Sequence, residues 1–267
     1  MRQSNSEREA IINKIKAFRL LDDDFMSKVF EDDIECTEFL LHIIMDKPDL
    51  KVQEVHTQYS IKNLLGRSAR LDIYAVDNAD RKYNIEIQRA DKGATEKRAR
   101  YNSSIIDANS LRTGADFEML PETYVIFITE HDVIGGNEPI YHIDRIVKET
   151  REPFRDGEHI IFVNGAFRDE SPIGLLMHDF ACTNPVDMHY KILADKTRYF
   201  KENEKGVAAM CKIVEDLCND AKAEEKKESA IRLLRQGKLS KLEIAEGLGL
   251  DVAVVESIEE EQKALAQ

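Results

Sequence analysis

Residues 71–88, "LDIYAVDNADRKYNIEIQ", decide how the rest of the chain is read. Two apolar runs, "ARLDIYAV" at 69–76 and "KYNIEIQ" at 82–88, flank Asp77, Asn78, Ala79 and Asp80. Strand-forming runs on either side of turn-forming residues predict a β-hairpin centred near Ala79. Residues equally far from that centre then face one another, so Tyr74 opposes Asn84 and Asp72 opposes Glu86. Side chains alternate along a strand. Asp72, Asn84, Glu86 and Gln88 therefore share one face, while Ile73, Ala75, Ile85 and Ile87 turn to the core.

That shared face is chemically odd. Glutamate is disfavoured in strands and is seldom buried unless paired or coordinated. Opposed residues have Cβ atoms about 5 Å apart, so two carboxylates so placed repel unless a cation lies between them. Mg²⁺ suits such a site because it takes oxygen ligands, often one or two carboxylates plus substrate phosphate. The plainer reading is a solvated face whose acids pair with Arg70 or Arg89. Spacing alone does not choose between them.

The bulk numbers narrow the class. The chain has 267 residues, 42% hydrophobic and 33% charged, as expected of a globular protein with a charged surface. Its apolar runs fall short of the ~20 residues that cross a bilayer. The start, "MRQSNSEREAIINKIK", lacks a signal-peptide pattern, so a cytoplasmic protein without a membrane partner is expected. Four cysteines without a CxxC indicate neither a disulfide framework nor a zinc site. A net charge of −13 opposes non-specific coating of nucleic acid. The charge is uneven, however: the stretch from Asp22 to Asp49 is acidic, and Lys62 to Arg112 is a basic tract around the hairpin.

Beyond the hairpin, "DDIECTEFLLHIIM" reads as a helix through Ile34, Thr37, Leu41 and Ile44 or Met45, stopped before Pro48. "KVQEVHTQYSI", "ETYVIFIT" and "EHIIFVNG" read as strands, the second apolar enough to be covered on both faces. "GATEKRARYNSSIIDANSLR" reads as a helix ending near Gly114, and the chain is helical from about Pro185. The pattern is an α/β core with an all-helical C-terminal tail, divided as residues 1–205 and 206–267. In the tail, "RLLRQGKLSKLEIAEGLGLDVAVVESIEEE" resembles a helix-turn-helix, with Ser240 starting one helix and Asp251 capping a second. The second helix is acidic at its end, which suits packing or a protein partner better than a DNA groove. His131-Asp132 and His178-Asp179 lack a third ligand at metal-binding spacing, and Cys211 and Cys218 share a helical face that is expected to be core.

The stretch "GRSARLDIYAVDNADRKYNIEIQRADKGATEKRARYNSS" resembles the core of the PD-(D/E)XK nuclease superfamily, closest to its nuclease-family transposases, the recombination-promoting nucleases. The likeness continues through "LPETYVIFITEHDVIGGNEPIYHIDR", "HIIFVNGAFR" and "LMHDFACTNPVDMHY", spanning about residues 20 to 205. It implies a restriction-endonuclease-like fold, a mixed sheet flanked by helices with a divalent metal at the hairpin's edge. Asp72 and Glu86 match the motif's acidic metal ligands. Gln88 stands where the superfamily has Lys, and Leu71 where it has Pro. Gln can hydrogen-bond a water or phosphate but brings no charge. Superfamily members also use a glutamate from the preceding helix, for which Glu38 is the first choice and Glu35 the rival. Lys92, Arg98 and Arg100 follow the second strand and are candidates for contact with DNA phosphates. The expected function is Mg²⁺- or Mn²⁺-dependent DNA endonuclease activity in recombination or mobile-element processing, with DNA and a second copy of the chain (a homodimer) as partners. The alternative is a catalytically inactive nuclease-fold protein that binds nucleic acid or protein.

Overall fold

The computed structural model describes residues 5–63, 66–89 and 93–265. A six-stranded mixed sheet, flanked by helices, has the order β1-β2-β3-β4-β6-β5. The strands are β1 (Val52–Ile61), β2 (Ala69–Asp77), β3 (Lys82–Gln88), β4 (Thr123–Thr129), β5 (Ile140–Ile143) and β6 (Glu158–Asn164). β1, β2 and β3 form an antiparallel meander, β3, β4 and β6 run parallel, and β5 returns antiparallel along β6. Between β3 and β4 lies α4 (Glu96–Ser110), the crossover that a parallel pair requires. It stops at Ser110, short of Gly114, because Leu111 is already extended. β5, which the sequence does not announce, is only four residues long at the sheet's edge.

The long apolar run of β4 behaves as its composition demands: all seven residues are buried. On the face carrying the odd-numbered side chains, Ile73, Ala75, Ile85 and Ile87 are buried with Ile126 and Ile128. Across the other face, Val125, Phe127 and Phe162 pack with Ala94 and Ala99 at the start of α4. Where β3, β4 and β6 begin, Tyr83, Tyr124 and His159 stack in a row, with ring centroids 5.1 and 4.6 Å apart.

The hairpin register is the one the turn dictates: Tyr74 pairs with Asn84 and Ile73 with Ile85. Asp77 holds it. Its Oδ1 accepts the backbone N–H groups of Ala79 and Arg81, each at 2.9 Å. Its Oδ2 accepts Arg81 Nε at 2.6 Å and the Tyr83 hydroxyl at 2.9 Å.

Two helices precede β1 closely, α2 (Asp23–Val29) and α3 (Ile34–Met45), after α1 (Asn5–Ala17). α3 buries Cys36, Thr37, Leu40, Leu41 and Ile44. Of the expected stripe, Thr37, Leu41 and Ile44 are buried but Ile34 is 43% exposed, and Glu38, first choice because it neighbours Ile34, Leu41 and Met45, stands half-buried at the border. After the sheet come α5 (Pro172–Ala181), α6 (Lys191–Glu202), α7 (Glu204–Gln236), α8 (Lys241–Leu248) and α9 (Val252–Leu265).

Packing divides the chain into two compact units, one of residues 12–210 and one of residues 1–11 with 211–267. In the second unit, Ser240 caps α8 through a reciprocal pair with Glu243, and Gly249 ends it in the left-handed region at φ 59°. Ala230, Ile244, Ala245, Val255 and Ile258 form its core. Cys211 and Cys218 are only half-buried, contrary to the expectation that they are core. No helix among the described residues is long and apolar enough to cross a membrane.

Burial alone would raise the Asp77 carboxyl, but the hydrogen bonds from Arg81 and Tyr83 outweigh it and hold it below the usual range. Its stabilisation is therefore complete above the ordinary carboxylate range and is lost as pH falls through the depressed folded value. Asp77→Ala is expected to cost about 2–4 kcal/mol and to flatten the acid side of the stability–pH profile. Chemical denaturation of parent and variant from pH 3 to 7 measures both.

Candidate metal-binding and active site

The hairpin carries its acids into the fold. Glu86 is 0% exposed and Asp72 is 7% exposed. The reading of a solvated face is thereby excluded, and neither Arg70 nor Arg89 pairs with these acids. Main-chain pairing of β2 with β3 ends at Ile73 and Ile85, one step short of the two carboxylates. There the Asp72 side chain takes over, its Oδ2 accepting the backbone N–H of Ile87 at 2.9 Å.

Glu86 Oε2 accepts from Arg98 Nη2 in an ion pair reaching down from the first turn of α4. Thr95 caps that helix by accepting the Arg98 N–H at 3.2 Å, and the Arg98 guanidinium lies 5.7 Å from the centre of the Phe127 ring. Glu86 Oε1 is buried with no hydrogen-bond partner among the described residues. So are both amide atoms of Asn84 on the same strand face, although the Asn84 amide and the Asp72 N–H stand near enough to pull the Glu86 carboxyl down without closing a bond of normal geometry. An orphaned carboxylate oxygen in the interior is costly. Burial raises the Asp72 carboxyl well above its ordinary range, and the neighbouring Glu86 charge adds to it. Burial raises Glu86 also, against the pull of Arg98. Two buried acids that oppose each other's ionisation, one with a vacant lone pair, fit a hard divalent cation with oxygen ligands.

Gln88, on the same strand face, is half-exposed. Its amide is held under Gly93: a Cβ there would lie 1.6 Å from Gln88 Oε1 and 3.2 Å from Arg98 Nη1. Only glycine leaves room for the Gln88 amide and the Arg98 guanidinium together.

The helix acid is not where the sequence placed it. Glu38 bonds Lys51 Nζ at 2.8 Å and the Val52 N–H at 3.0 Å. Val52 pairs with Asp77, at the hairpin-turn end of β2, whereas Thr57 is level with Ile73. Five residues of strand, about 16 Å, separate those levels. Glu35 lines a different cleft, with Asp33, Asp195 and Lys196. Neither glutamate joins the pair.

The nearby helix acid is Asp23, whose charge raises both Asp72 and Glu86. It opens α2, where it accepts Gln58 Nε2 at 3.1 Å. The start of α2 is tied down beside the end of β3: Arg89 Nη1 lies 3.0 Å from Asp22 Oδ1, and Arg19 Nη1 lies 2.7 Å from Glu130 Oε1. The only sequence signal was "DDDF", three acids before an apolar residue.

Of the basic candidates, Arg98 is part of the site. Arg100 is two residues on, about 200° around the helix, and lines a separate hollow with Asp144, Arg145 and Glu158. Lys92 lies outside the described residues.

A family model for PD-(D/E)XK nuclease family transposases matches residues 31–166, about half of the chain. The chain belongs to this family. The match contains Asp72, Glu86, Gln88 and Arg98, but begins after Asp23 and ends before α5. No curated protein and no solved structure matches the chain. Nucleases of this superfamily typically use divalent metals, in keeping with the donor set formed by Asp72 and Glu86.

The raised Asp72 carboxyl has a consequence for stability. The folded state holds that proton more tightly than the unfolded chain, so stability falls as pH rises from the ordinary aspartate value through the raised one. Asp72→Asn removes this cost. In the presence of a chelator at pH 8, the variant should melt about 2–4 °C above the parent, the shift expected for ~1 kcal/mol in a domain of this size. The difference should vanish near pH 4. A variant less stable than the parent at every pH would show that the two acids do not repel.

Proposed function

We propose that this protein is a metal-dependent endonuclease acting on DNA, with Asp72 and Glu86 as metal ligands and Mg²⁺ or Mn²⁺ as the ion. The observation that carries this reading is the buried acid pair with its orphaned Glu86 oxygen, at the end of a sheet whose family is that of nuclease-type transposases. When bound, the ion polarises a phosphate and acidifies a water. The remaining work falls to the chain. Asp23 adds negative charge beside the pair from α2, strengthening its attraction for a cation. Gln88, fixed under Gly93, offers an amide to orient the nucleophilic water or a phosphate oxygen. Arg98 neutralises Glu86 and lies close enough to exchange that contact for a phosphate. On a duplex, two chains related by a two-fold axis would present one such site to each strand. Cleavage in recombination or in mobile-element processing follows from that activity.

The Arg98–Glu86 ion pair also favours a second reading, in which a guanidinium permanently balances the acids and the fold binds nucleic acid without cutting it. Metal binding separates the two. Because Asp72 is raised into the neutral range, binding a divalent ion should release protons, and affinity should increase from pH 6 to pH 8. Calorimetry in buffers of different ionisation heat measures this directly, and absence of any divalent binding would favour the non-catalytic reading.

Supercoiled plasmid is the substrate that tests the activity. Nicking should require Mg²⁺ or Mn²⁺ and should be lost in Asp72→Ala and Glu86→Ala while both variants remain folded. Unchanged cleavage by either would place the activity elsewhere.

Gln88→Ala should slow the reaction by about 10²-fold, the typical loss of one transition-state donor, with little change in metal affinity. Gly93→Ala should reproduce part of that loss at little cost in stability, because the atom it displaces ends a flexible side chain. If Gly93→Ala cuts as fast as the parent, the Gln88 amide does not act from the position it holds.

A further inference from the structure

The last turn of α5 gathers a second group of ligand-type side chains, unlike the first in chemistry. His178 and Cys182 stand one helical turn apart with Asp179 beside them. One ligand atom from each lies within 4.8 Å of the others. His178 Nδ1 is 3.3 Å from Asp179 Oδ1 and 3.5 Å from Cys182 Sγ. With Zn–N and Zn–O bonds of about 2.1 Å and Zn–S of about 2.3 Å, the edges of a tetrahedral site are about 3.4 Å for N–O and 3.6 Å for N–S. Two edges of the triangle already have the lengths that zinc imposes. In the sequence, the pair His178-Asp179 seemed to lack a third ligand, and the helix supplies it.

Hydrogen bonds hold this arrangement only loosely: Cys182 Sγ reaches the Asp187 carbonyl at 4.0 Å, and both contacts at Nδ1 are long. A ring nitrogen offers either one hydrogen or one lone pair. Nδ1 therefore makes one strong bond or shares its hydrogen weakly between the Asp179 carboxylate and the Cys182 sulfur, whereas a cation would engage all three groups fully. A Cys-His-Asp catalytic triad is excluded on the same ground, since there the acid and the nucleophile bind opposite ring nitrogens. In this group Cys182 Sγ is 3.8 Å from Nε2, farther than from Nδ1.

The surroundings are those of a built site. Asp179 is 0% exposed, and its oxygens are aimed by the backbone N–H groups of His189 and Tyr190, each at 2.8 Å. This leaves Oδ1 a second lone pair on the His178 side. His189 itself lies edge-on to His178, with ring centroids 4.5 Å apart, and is solvent-exposed. Its nitrogens stand outside the triangle, but the ring is exposed and close enough that a side-chain rotation could supply a fourth ligand from the segment that links α5 to α6. Burial raises the Cys182 thiol, with Asp179 and Asp187 adding to the shift and Arg168 and Lys201 opposing it. Imidazole, thiolate and carboxylate together select a borderline ion such as Zn²⁺ rather than Mg²⁺.

We propose that His178, Asp179 and Cys182, completed by His189, form a structural zinc site that pins the C-terminal end of α5 to the segment leading into α6. The site is independent of Asp72 and Glu86 and takes a different class of ion.

The test uses the full chain, stripped with chelator and titrated with Co²⁺, then Zn²⁺. The parent should bind one Co²⁺ with a thiolate-to-cobalt charge-transfer band in the near ultraviolet and strong tetrahedral visible bands, apart from any ion taken by the carboxylate pair, and one Zn²⁺ should abolish those bands. Cys182→Ser should lose the charge-transfer band, and both Cys182→Ser and His178→Ala should weaken Zn²⁺ binding by about 100-fold or more. His189→Ala, altering an exposed residue and so safe for folding, should weaken it by about tenfold or more. Asp72→Asn should leave the charge-transfer band and the tetrahedral visible bands unchanged, which separates this site from the nuclease reading. A parent protein with no charge-transfer band, or a band that survives in Cys182→Ser, would overturn the proposal.

Discussion

The Asp77 carboxylate accepts two backbone N–H groups, an arginine and a tyrosine hydroxyl at the hairpin turn, and the rest of the site depends on that small cluster. Strand side chains alternate with a period of two, so a slip of one residue would turn Asp72 or Glu86 to the opposite face. Fixing the turn fixes which residues meet at the far end of the hairpin. Tyr83, held by Asp77, then begins the stacked row with Tyr124 and His159 that runs across β3, β4 and β6. Register set by one turn is thereby passed to strands that are distant in sequence.

With the strands aligned, the fold carries a local cost. Two acids are buried at the same level of the hairpin, and one oxygen of Glu86 closes no hydrogen bond among the described residues. Such a pair does not help folding, since desolvation and like charge both oppose it. It is tolerated because the neighbouring strand is buried throughout its seven residues and the Arg98 guanidinium reaches Glu86 across the Phe127 ring. Stability spent at one end of the sheet is supplied by apolar packing along its centre.

The parts legible in the sequence were those governed by local rules. Strand alternation and the turn at 77–80 gave the hairpin and its register, and the run "TYVIFIT" gave the central strand. The helix acid failed because α3 does not bury the whole of its expected stripe. The expected stripe through Ile34, Thr37, Leu41 and Ile44 or Met45 is buried at Thr37, Leu41 and Ile44 but open at Ile34, and Glu38 lies on that open border. Asp23 was hidden for another reason. Its helix is seven residues long, and its place at the site is set by Arg89, Arg19 and Glu130, which come from distant segments. No local pattern encodes such a tie. Likewise His178-Asp179 became a candidate ligand set only once α5 formed and brought Cys182 one turn below.

The same long-range ties change what the basic tract can do. Read along the sequence, Lys62 to Arg112 is a block of positive charge around the acids. In the fold, Arg81 is bonded to Asp77, Lys82 to Asp80, Arg89 to Asp22 and Arg98 to Glu86. Each cation is balanced by an acid, so the field toward solvent is weaker than the count of lysines and arginines implies. Lys62, Arg67 and Arg70 remain exposed beside the hairpin, and Lys97, Arg100 and Arg112 are exposed on and after α4. Against a net charge of −13, these exposed cations give a phosphate backbone a local hold that the rest of the chain opposes. On the proposed reading, a divalent ion at Asp72 and Glu86 would add two positive charges where the backbone must approach and free Arg98 from its acid. Metal binding would then create much of the attraction for DNA, and substrate affinity and catalysis would share one cause.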